Sequence, residues 1–176
     1  DSIRKITPQG VVTTIERGMG CLTGVSVDSN GSVIAINERY CAPTIFKVGA
    51  GKILEDTKSL TAGIPGYSGR PAFGGGSGIS IDRYGSNPSN NIYISDWINH
   101  SVKVFSSAGA LLRTIGEEDS YGGTHSQSSY PLYDFPVQTF SLDDGSYLVS
   151  DMFSIKHISP SGEIVRTTAL SQSCWY

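Results

Sequence analysis

The sequence has few charged residues and no long apolar stretch. Asp, Glu, Lys and Arg make up 16% of the 176 residues, and 13 basic side chains are scattered among 16 acidic ones for a formal net charge of -3. Proteins that bind phosphate backbones normally carry clustered Lys and Arg, so no nucleic-acid partner is expected. No apolar run approaches the roughly 20 residues that cross a bilayer, so no membrane span is expected either.

Motifs of common catalytic sites are also missing. The glycine run at residues 74–78 has neither the Lys of a phosphate-binding loop nor GxGxxG spacing. No Gly-x-Ser-x-Gly elbow occurs, and no Ser, His and acid set has an argument for proximity. The sequence therefore predicts no catalytic residues and no cofactor.

The sequence does contain a pattern that is repeated three times. Each copy has an alternating apolar pair closed by Asp, a turn with Gly, an apolar strand ending in Asn or Asp, a third strand, and a Gly that introduces a fourth. Alternating apolar residues between turn residues predict four short antiparallel strands in each copy. The apolar pairs are Val25 and Val27, Ile79 and Ile81, and Phe140 and Leu142.

This repeat predicts an all-β chain, a β-propeller built from four-stranded antiparallel blades. A half blade is expected at the front, because Thr7–Gly10 matches Ser159–Gly162 between the last two strands. All of them belong to a single domain or fragment over residues 1–176. The half blade is expected at residues 1–16, and the blades at about 21–56, 77–116 and 136–170.

Several segments resemble NHL repeats. The matching text lies at residues 3–15, 60–69 and 92–105, and Asn99-His100 stands where this family has its Asn-His dipeptide. The resemblance implies a propeller that is incomplete, since NHL propellers usually have about six blades and this chain supplies about three and a half. We expect a fragment of a longer propeller; a ring of two chains and a small four-bladed propeller are the alternatives.

A polar residue ends the second strand of each copy: Asn37, Asp96 and Asp151. We expect these short side chains to accept hydrogen bonds from the backbone of the following loop. The alternative is a ring of oxygen ligands around a cation such as calcium. The NHL resemblance also admits zinc held by histidines, but His100, His125 and His157 stand at non-equivalent places in the repeat. No metal site is predicted.

Cysteines and glycosylation acceptors favour a location outside the cell. Cys21 and Cys41 fall at the same end of one blade and either form a disulfide or stay as two thiols, which leaves Cys174 unpaired or bonded to another molecule. Asn30 and Asn99 satisfy the N-glycosylation rule in turns or loops, where a glycan can project. The expected location is extracellular or at the cell surface.

Six aromatic residues fall in predicted loops, where they suit either a contact surface or local packing. They are Tyr67, Phe73, Trp97, Tyr121, Tyr130 and Tyr133. The sequence thus predicts a non-catalytic interaction or structural module that binds proteins, including copies of itself. The alternative, which rests on the NHL resemblance, is a metal-dependent lyase or hydrolase.

Overall fold

The structure is a computed structural model that describes residues 2–39, 42–54, 76–84, 88–96, 101–116, 136–151 and 153–170. These residues form fourteen β-strands, and all the pairings between them are antiparallel. Within the same residues, no helix has the length and hydropathy needed to cross a membrane. The predicted all-β fold class is confirmed.

The strands form one two-stranded sheet and three four-stranded sheets. The first sheet consists of β1 (Ser2–Ile6) and β2 (Val12–Arg17). The second sheet consists of β3 (Leu22–Val27), β4 (Val33–Arg39), β5 (Ala42–Lys47) and β6 (Gly51–Leu54). The third sheet consists of β7 (Gly76–Ile81), β8 (Ile92–Asp96), β9 (Ser101–Phe105) and β10 (Leu111–Ile115). The fourth sheet consists of β11 (Gln138–Ser141), β12 (Tyr147–Ser150), β13 (Ser154–Ile158) and β14 (Ile164–Ala169).

The four-stranded sheets are arranged as propeller blades. Within each sheet the strands lie in chain order, so each pairs with the next along the sequence. The sheets meet mainly through their first strands, with β3 against β7 and β7 against β11. First strands that lie side by side around a common axis, with the later strands further out, are the arrangement of a β-propeller.

The first sheet has the hairpin of a blade's last two strands. Between β13 and β14, Gly162 has a φ of 98° and its N–H donates to the carbonyl of Ser159 at 2.9 Å. Between β1 and β2, Gly10 has a φ of 83° and its N–H donates to the carbonyl of Thr7 at 2.9 Å. A residue with a side chain is strained at such a φ, which explains the glycine at both places. β1 and β2 therefore correspond to a third and a fourth strand.

The third sheet is covered on both faces, and every residue of β8 is buried. Because side chains alternate along a strand, Ile92 and Ile94 pack toward the second sheet while Tyr93 packs toward the fourth, 5.2 Å from Tyr147 between ring centroids. One core cluster consists of Ile34, Ile36, Ile45, Ile79, Ile81, Ile92, Ile94 and Phe105. The other consists of Tyr93, Val102, Val104, Ile115, Tyr147, Val149 and Ile158.

Two glycines allow the first strands to approach closely. Gly24 pairs with Ile36 and Gly78 pairs with Ser95, so they occupy equivalent places in β3 and β7. A Cβ atom on Gly24 would lie 2.8 Å from Cγ2 of Ile79, in the next sheet. A Cβ atom on Gly78 would lie 2.6 Å from the backbone oxygen of Val137.

In the fourth sheet, the register of the first strand is shifted by one residue from the predicted repeat. Ser141 pairs with Tyr147 just as Val27 pairs with Val33, so Ser141, and not Leu142, is the equivalent of Val27. The apolar pair was therefore wrongly placed: Thr139 and Ser141 face inward and are buried, while Phe140 faces outward and is 53% exposed.

Hydrogen bonds explain why hydroxyl groups take the buried places of the fourth sheet. Ser141 Oγ donates to the carbonyl of Ile81 at 2.7 Å, and Thr139 Oγ1 donates to the carbonyl of Tyr93 at 3.3 Å. Both acceptors belong to the third sheet, so the two hydroxyls satisfy backbone groups across the boundary between the sheets. The turn that follows uses Asp144, whose Oδ1 accepts the Ser146 N–H at 2.9 Å, although the Asp that closes the predicted apolar pair is Asp143.

Candidate functional site

The three predicted strand-end residues all lie buried in the structure. The carboxylate of Asp151 accepts the backbone N–H of Phe153 at 3.0 Å and that of Ser154 at 2.6 Å. Its other oxygen bonds to the ammonium group of Lys156. Asn37 donates from Nδ2 to the carbonyl of Met19 at 2.6 Å. Asp151 and Asn37 thus fix nearby backbone in two different blades.

Each strand-end residue has a defined partner position on the third strand of its sheet. Lys103 pairs with Ile94, and Lys156 pairs with Val149, two residues before Asp96 and Asp151 respectively. In the second sheet the corresponding residue, which pairs with Ala35, is Phe46. A carboxylate therefore occurs where the partner position holds lysine, and the amide of Asn37 occurs where it holds phenylalanine. We call the two positions together the strand-end pair.

The strand-end pairs are relevant to the alternative that Asn37, Asp96 and Asp151 form a ring of ligands around a cation. A lysine next to each carboxylate balances its negative charge, which lowers the attraction for a cation. Within the residues that the structure describes, no group of three or more His, Cys, Asp or Glu side chains is placed to hold a metal ion. Asp151 thus accepts backbone N–H groups as expected, whereas Asn37 donates to the carbonyl of Met19, which precedes its sheet. The absence of a metal site stays a prediction.

Lys103, in the third sheet, is a deeply buried charge, and 1% of it is exposed. Burial lowers its pKa from 10.5 to about 8, although the nearby Asp96 carboxylate acts in the opposite direction. Its ammonium group also bonds to Thr114 Oγ1 at 3.2 Å. The folded protein therefore releases this proton more readily than the unfolded chain.

We expect the free energy of unfolding to rise with pH above the folded pKa of Lys103, which is about 8. The unfolded chain keeps this proton up to a pKa of about 10.4, so the gain between pH 7 and pH 9.5 is on the order of 2 kcal/mol. Urea unfolding at the two pH values measures it. The double variant Asp96→Asn/Lys103→Met removes both charges and should lose the gain, whereas an equal gain in that variant would assign it to other groups.

A groove of about 320 Å³ runs along the first strands of the three four-stranded sheets. Ser26, Ser80 and Thr139 line it with hydroxyl groups, and Ser80 Oγ donates to Thr139 Oγ1 at 3.2 Å. At one end, Arg83 donates to the hydroxyl of Tyr84 at 3.0 Å. Among the described residues that line this groove, none is His, Cys, Asp or Glu. They offer hydrogen bonds and one guanidinium group, without an acid–base pair.

The remaining predicted residues fall into two groups. Asn30 is exposed in the turn between β3 and β4, and Cys21 is an exposed free cysteine. Cys41 lies outside the described residues, so the Cys21–Cys41 disulfide stays a prediction. Also outside the described residues are Asn99, Cys174, Tyr67, Phe73, Trp97, Tyr121, Tyr130 and Tyr133.

The outer face of the fourth sheet is a surface that sequence analysis missed. Ile45, Val102 and Ile155 pair with Ile36, Ser95 and Ser150 at corresponding places of the second, third and fourth sheets. Ile45 and Val102 are 0% exposed because the next sheet covers them, whereas Ile155 is 39% exposed. Leu148 lies on the same face as Ile155, two residues from its partner Ser150 on the neighbouring strand, and Phe140 on β11 pairs with Leu148. We call Phe140, Leu148 and Ile155 the open face.

The signal for the open face was present in the sequence. Ile155 follows the same strand pattern as Val102, and the repeat places both on the side that faces a following blade. The apolar face of a sheet must be buried against another layer to be stable in water. The fourth sheet is the last sheet among the described residues, and no such layer covers its outer face within them.

No known family profile and no curated protein sequence matches the chain. Solved structures do match. A streptogramin B lyase is 13% identical, with a TM-score of 0.58 over 98% of this chain and 49% of the lyase. Virginiamycin B lyase from Staphylococcus aureus is 12% identical, with a TM-score of 0.57 over 96% of this chain and 48% of that protein.

A protein of unknown function from Bacteroides caccae is 18% identical, with a TM-score of 0.51 over 93% of this chain and 52% of its own. The chain thus spans about half the length of the solved structures it matches. Structural similarity at these sequence identities establishes a shared fold and does not identify a substrate. Together with the four-stranded meander sheets and the contacts between their first strands, they show that the chain has the fold of a β-propeller segment.

Proposed function

We propose that this chain is an NHL-like propeller segment that acts as a non-catalytic, extracellular interaction module and associates with copies of itself. The observation that carries the proposal is the open face. Ile155 is 39% exposed at a position where Val102 is fully buried by the next sheet. An apolar sheet face of this kind is stabilised when another sheet packs on it.

The composition of the groove favours binding over catalysis. The hydroxyl of Ser141 is engaged with a backbone carbonyl of the third sheet at 2.7 Å, so it ties sheets together. A nucleophile needs a base within hydrogen-bond reach, and the described side chains that line the groove include no His, Asp or Glu to act as one. The alternative of a metal-dependent lyase draws support from the two lyases with this fold, and protein-bound zinc or calcium after dialysis would favour it.

The turn that carries Asn30 supports an extracellular location. Asp28 Oδ1 accepts the N–H of Asn30 at 2.9 Å and that of Ser32 at 2.8 Å, so the Asp28 side chain stabilises the turn. Asn30 itself is exposed at the tip. An acceptor asparagine in a firm, exposed turn is accessible to a glycan.

We expect the wild-type chain to sediment as an associated species in the micromolar range, and Ile155→Asp to weaken the association at least about tenfold. A carboxylate on the open face would have to be desolvated when a second sheet packs there. Analytical ultracentrifugation between about 1 and 100 micromolar measures both constants. Mass spectrometry of protein from its native source, before and after glycosidase treatment, tests for sugar on Asn30.

Leu112→Asp is the matched control. Leu112 is exposed on β10 of the third sheet, whose two faces are already covered, so a carboxylate there should leave association unchanged. A wild-type chain that stays monomeric throughout this range would overturn self-association. An unmodified Asn30 in protein from its native source would count against the extracellular location.

A further inference from the structure

The association proposed above can use the open face in two ways, either against the open face of a second copy or against a different surface. We infer that it packs head to tail against the first sheet of the second copy. This inference rests on the proposed self-association and specifies its partner surface. The side chains of β11 carry the argument.

The side chains of β11 on the open face block the packing seen between the other sheets. Gln138 pairs with Ser150, which places it where the second and third sheets have Gly24 and Gly78. At both of those places a Cβ atom would be too close to the next sheet's first strand. Gln138 has a Cβ atom at this place, while its amide turns back and donates to the carbonyl of Ile79 in the third sheet at 3.3 Å. A following sheet therefore cannot bring its first strand as close to β11 as β7 comes to β3.

Phe140 adds to this obstruction. Its equivalents in the second and third sheets are Ser26 and Ser80, because each lies two residues after the Gly or Gln position. A benzyl group thus replaces a hydroxymethyl group next to the axis of the propeller. The partner surface that fits the open face must reach Ile155 on β13 without a strand in front of Gln138 and Phe140.

The first sheet of a second copy meets this requirement. Among the described residues it contains a third and a fourth strand, as its hairpin shows, and within them it brings no first strand to the boundary. It also presents apolar side chains on one face: Ile6 pairs with Val12, and they are 67% and 53% exposed. Ile3, on the opposite face, is buried. Ile6 and Val12 would meet the part of the open face around Ile155.

Head-to-tail packing also agrees with the size of the chain. The chain covers 49% and 48% of the two lyase propellers that it resembles. Two copies therefore carry about the chain length of one such propeller. A head-to-tail contact that closes after two copies forms a ring in which each open face meets one first sheet.

A mixing experiment with two charged variants tests this arrangement. Ile155→Asp places a charge on the open face, and Ile6→Asp places a charge on the first sheet. Ile6 is 67% exposed, so its replacement should not disturb folding. In head-to-tail packing each variant alone loses association, and their mixture regains it, since the intact open face of one meets the intact first sheet of the other. Analytical ultracentrifugation of each variant and of their equimolar mixture gives the result.

The other outcomes separate this inference from the proposed function. If Ile6→Asp associates as the wild type does, and mixing adds nothing, the open faces pack on each other and the head-to-tail inference is wrong while self-association stands. If the wild type itself is monomeric, the proposed self-association fails first. Circular dichroism of both variants, compared with Leu112→Asp, verifies that each has folded.

Discussion

Lys156→Met should lower the free energy of unfolding by about 3 kcal/mol. The carboxylate of Asp151 is buried, and the ammonium group of Lys156 contacts it directly. Removing the lysine leaves the negative charge in a place of low polarity. Two backbone N–H groups still bond to the carboxylate, and they limit the loss. Urea unfolding at neutral pH, followed by circular dichroism, measures the change.

The second sheet suggests the control for this experiment. There the strand-end pair is the buried Asn37 with the partly exposed Phe46, and neither carries a formal charge. The double variant Asp151→Asn/Lys156→Met reproduces that uncharged pair, so it should recover most of the lost free energy of unfolding. Replacing both members of a buried ion pair costs much less than removing one. If the double variant is as unstable as Lys156→Met, the charge balance is not what stabilises this position.

The pKa of Asp151 gives the same interaction a pH dependence. Burial by itself would raise this pKa, but the hydrogen bonds from Lys156, the Phe153 N–H and Ser154 hold it below 3.8. A carboxylate with a lowered folded pKa adds stability above the unfolded value, and this stability is lost as pH falls through the folded pKa. The difference in stability between wild type and the double variant should accordingly shrink in acid.

Gly78→Ala should destabilise the chain by about 2 to 3 kcal/mol. The added methyl group would lie 2.6 Å from the carbonyl oxygen of Val137 and 2.8 Å from the Cα of Gln138. These are backbone atoms of the fourth sheet, and they can move only if the two sheets separate. The thermal unfolding midpoint and urea unfolding both report the loss.

Gly24→Ala is the matched comparison, because it adds the same atom at the same place of the second sheet. Its nearest neighbours are the Cγ2 atoms of Ile79 and Ile36, at 2.8 and 3.1 Å, which can turn away more easily than backbone. The loss at Gly24 should therefore be smaller than the loss at Gly78. A Gly78→Ala variant that keeps wild-type stability would mean that the two sheets are not packed as closely as described.

The repeat made most of the fold predictable, since it depends on local features of the sequence. Each copy of the repeat was predicted to form four antiparallel strands, and the second, third and fourth sheets each have four strands in chain order. The glycine that opens each last hairpin was also placed correctly, and Gly109 and Gly162 both have positive φ angles. Apolar alternation and turn glycines act within a few residues, so one sequence reveals them.

Features that depend on neighbouring sheets could not be predicted in the same way. The one-residue shift in the fourth sheet buries Ser141, and its reason is a carbonyl of the third sheet, which no local pattern reveals. The lysine partners of Asp96 and Asp151 likewise emerge only from strand register. A slip of one residue reverses which face every side chain of a strand occupies. The sequence therefore predicted the blades better than their contacts.

The covering of the third sheet on both faces affects the order in which the sheets unfold. Among the described residues, each strand of a four-stranded sheet pairs with strands adjacent in sequence, and each sheet has its main contacts with the sheets beside it. Such rows behave as linear arrays in which each unit gains free energy from its neighbours. The middle blade has two neighbours and should open last, while the outermost strand β14 frays first. Unfolding then spreads inward from the ends, and any partner that covers an end raises the cooperativity of the whole segment.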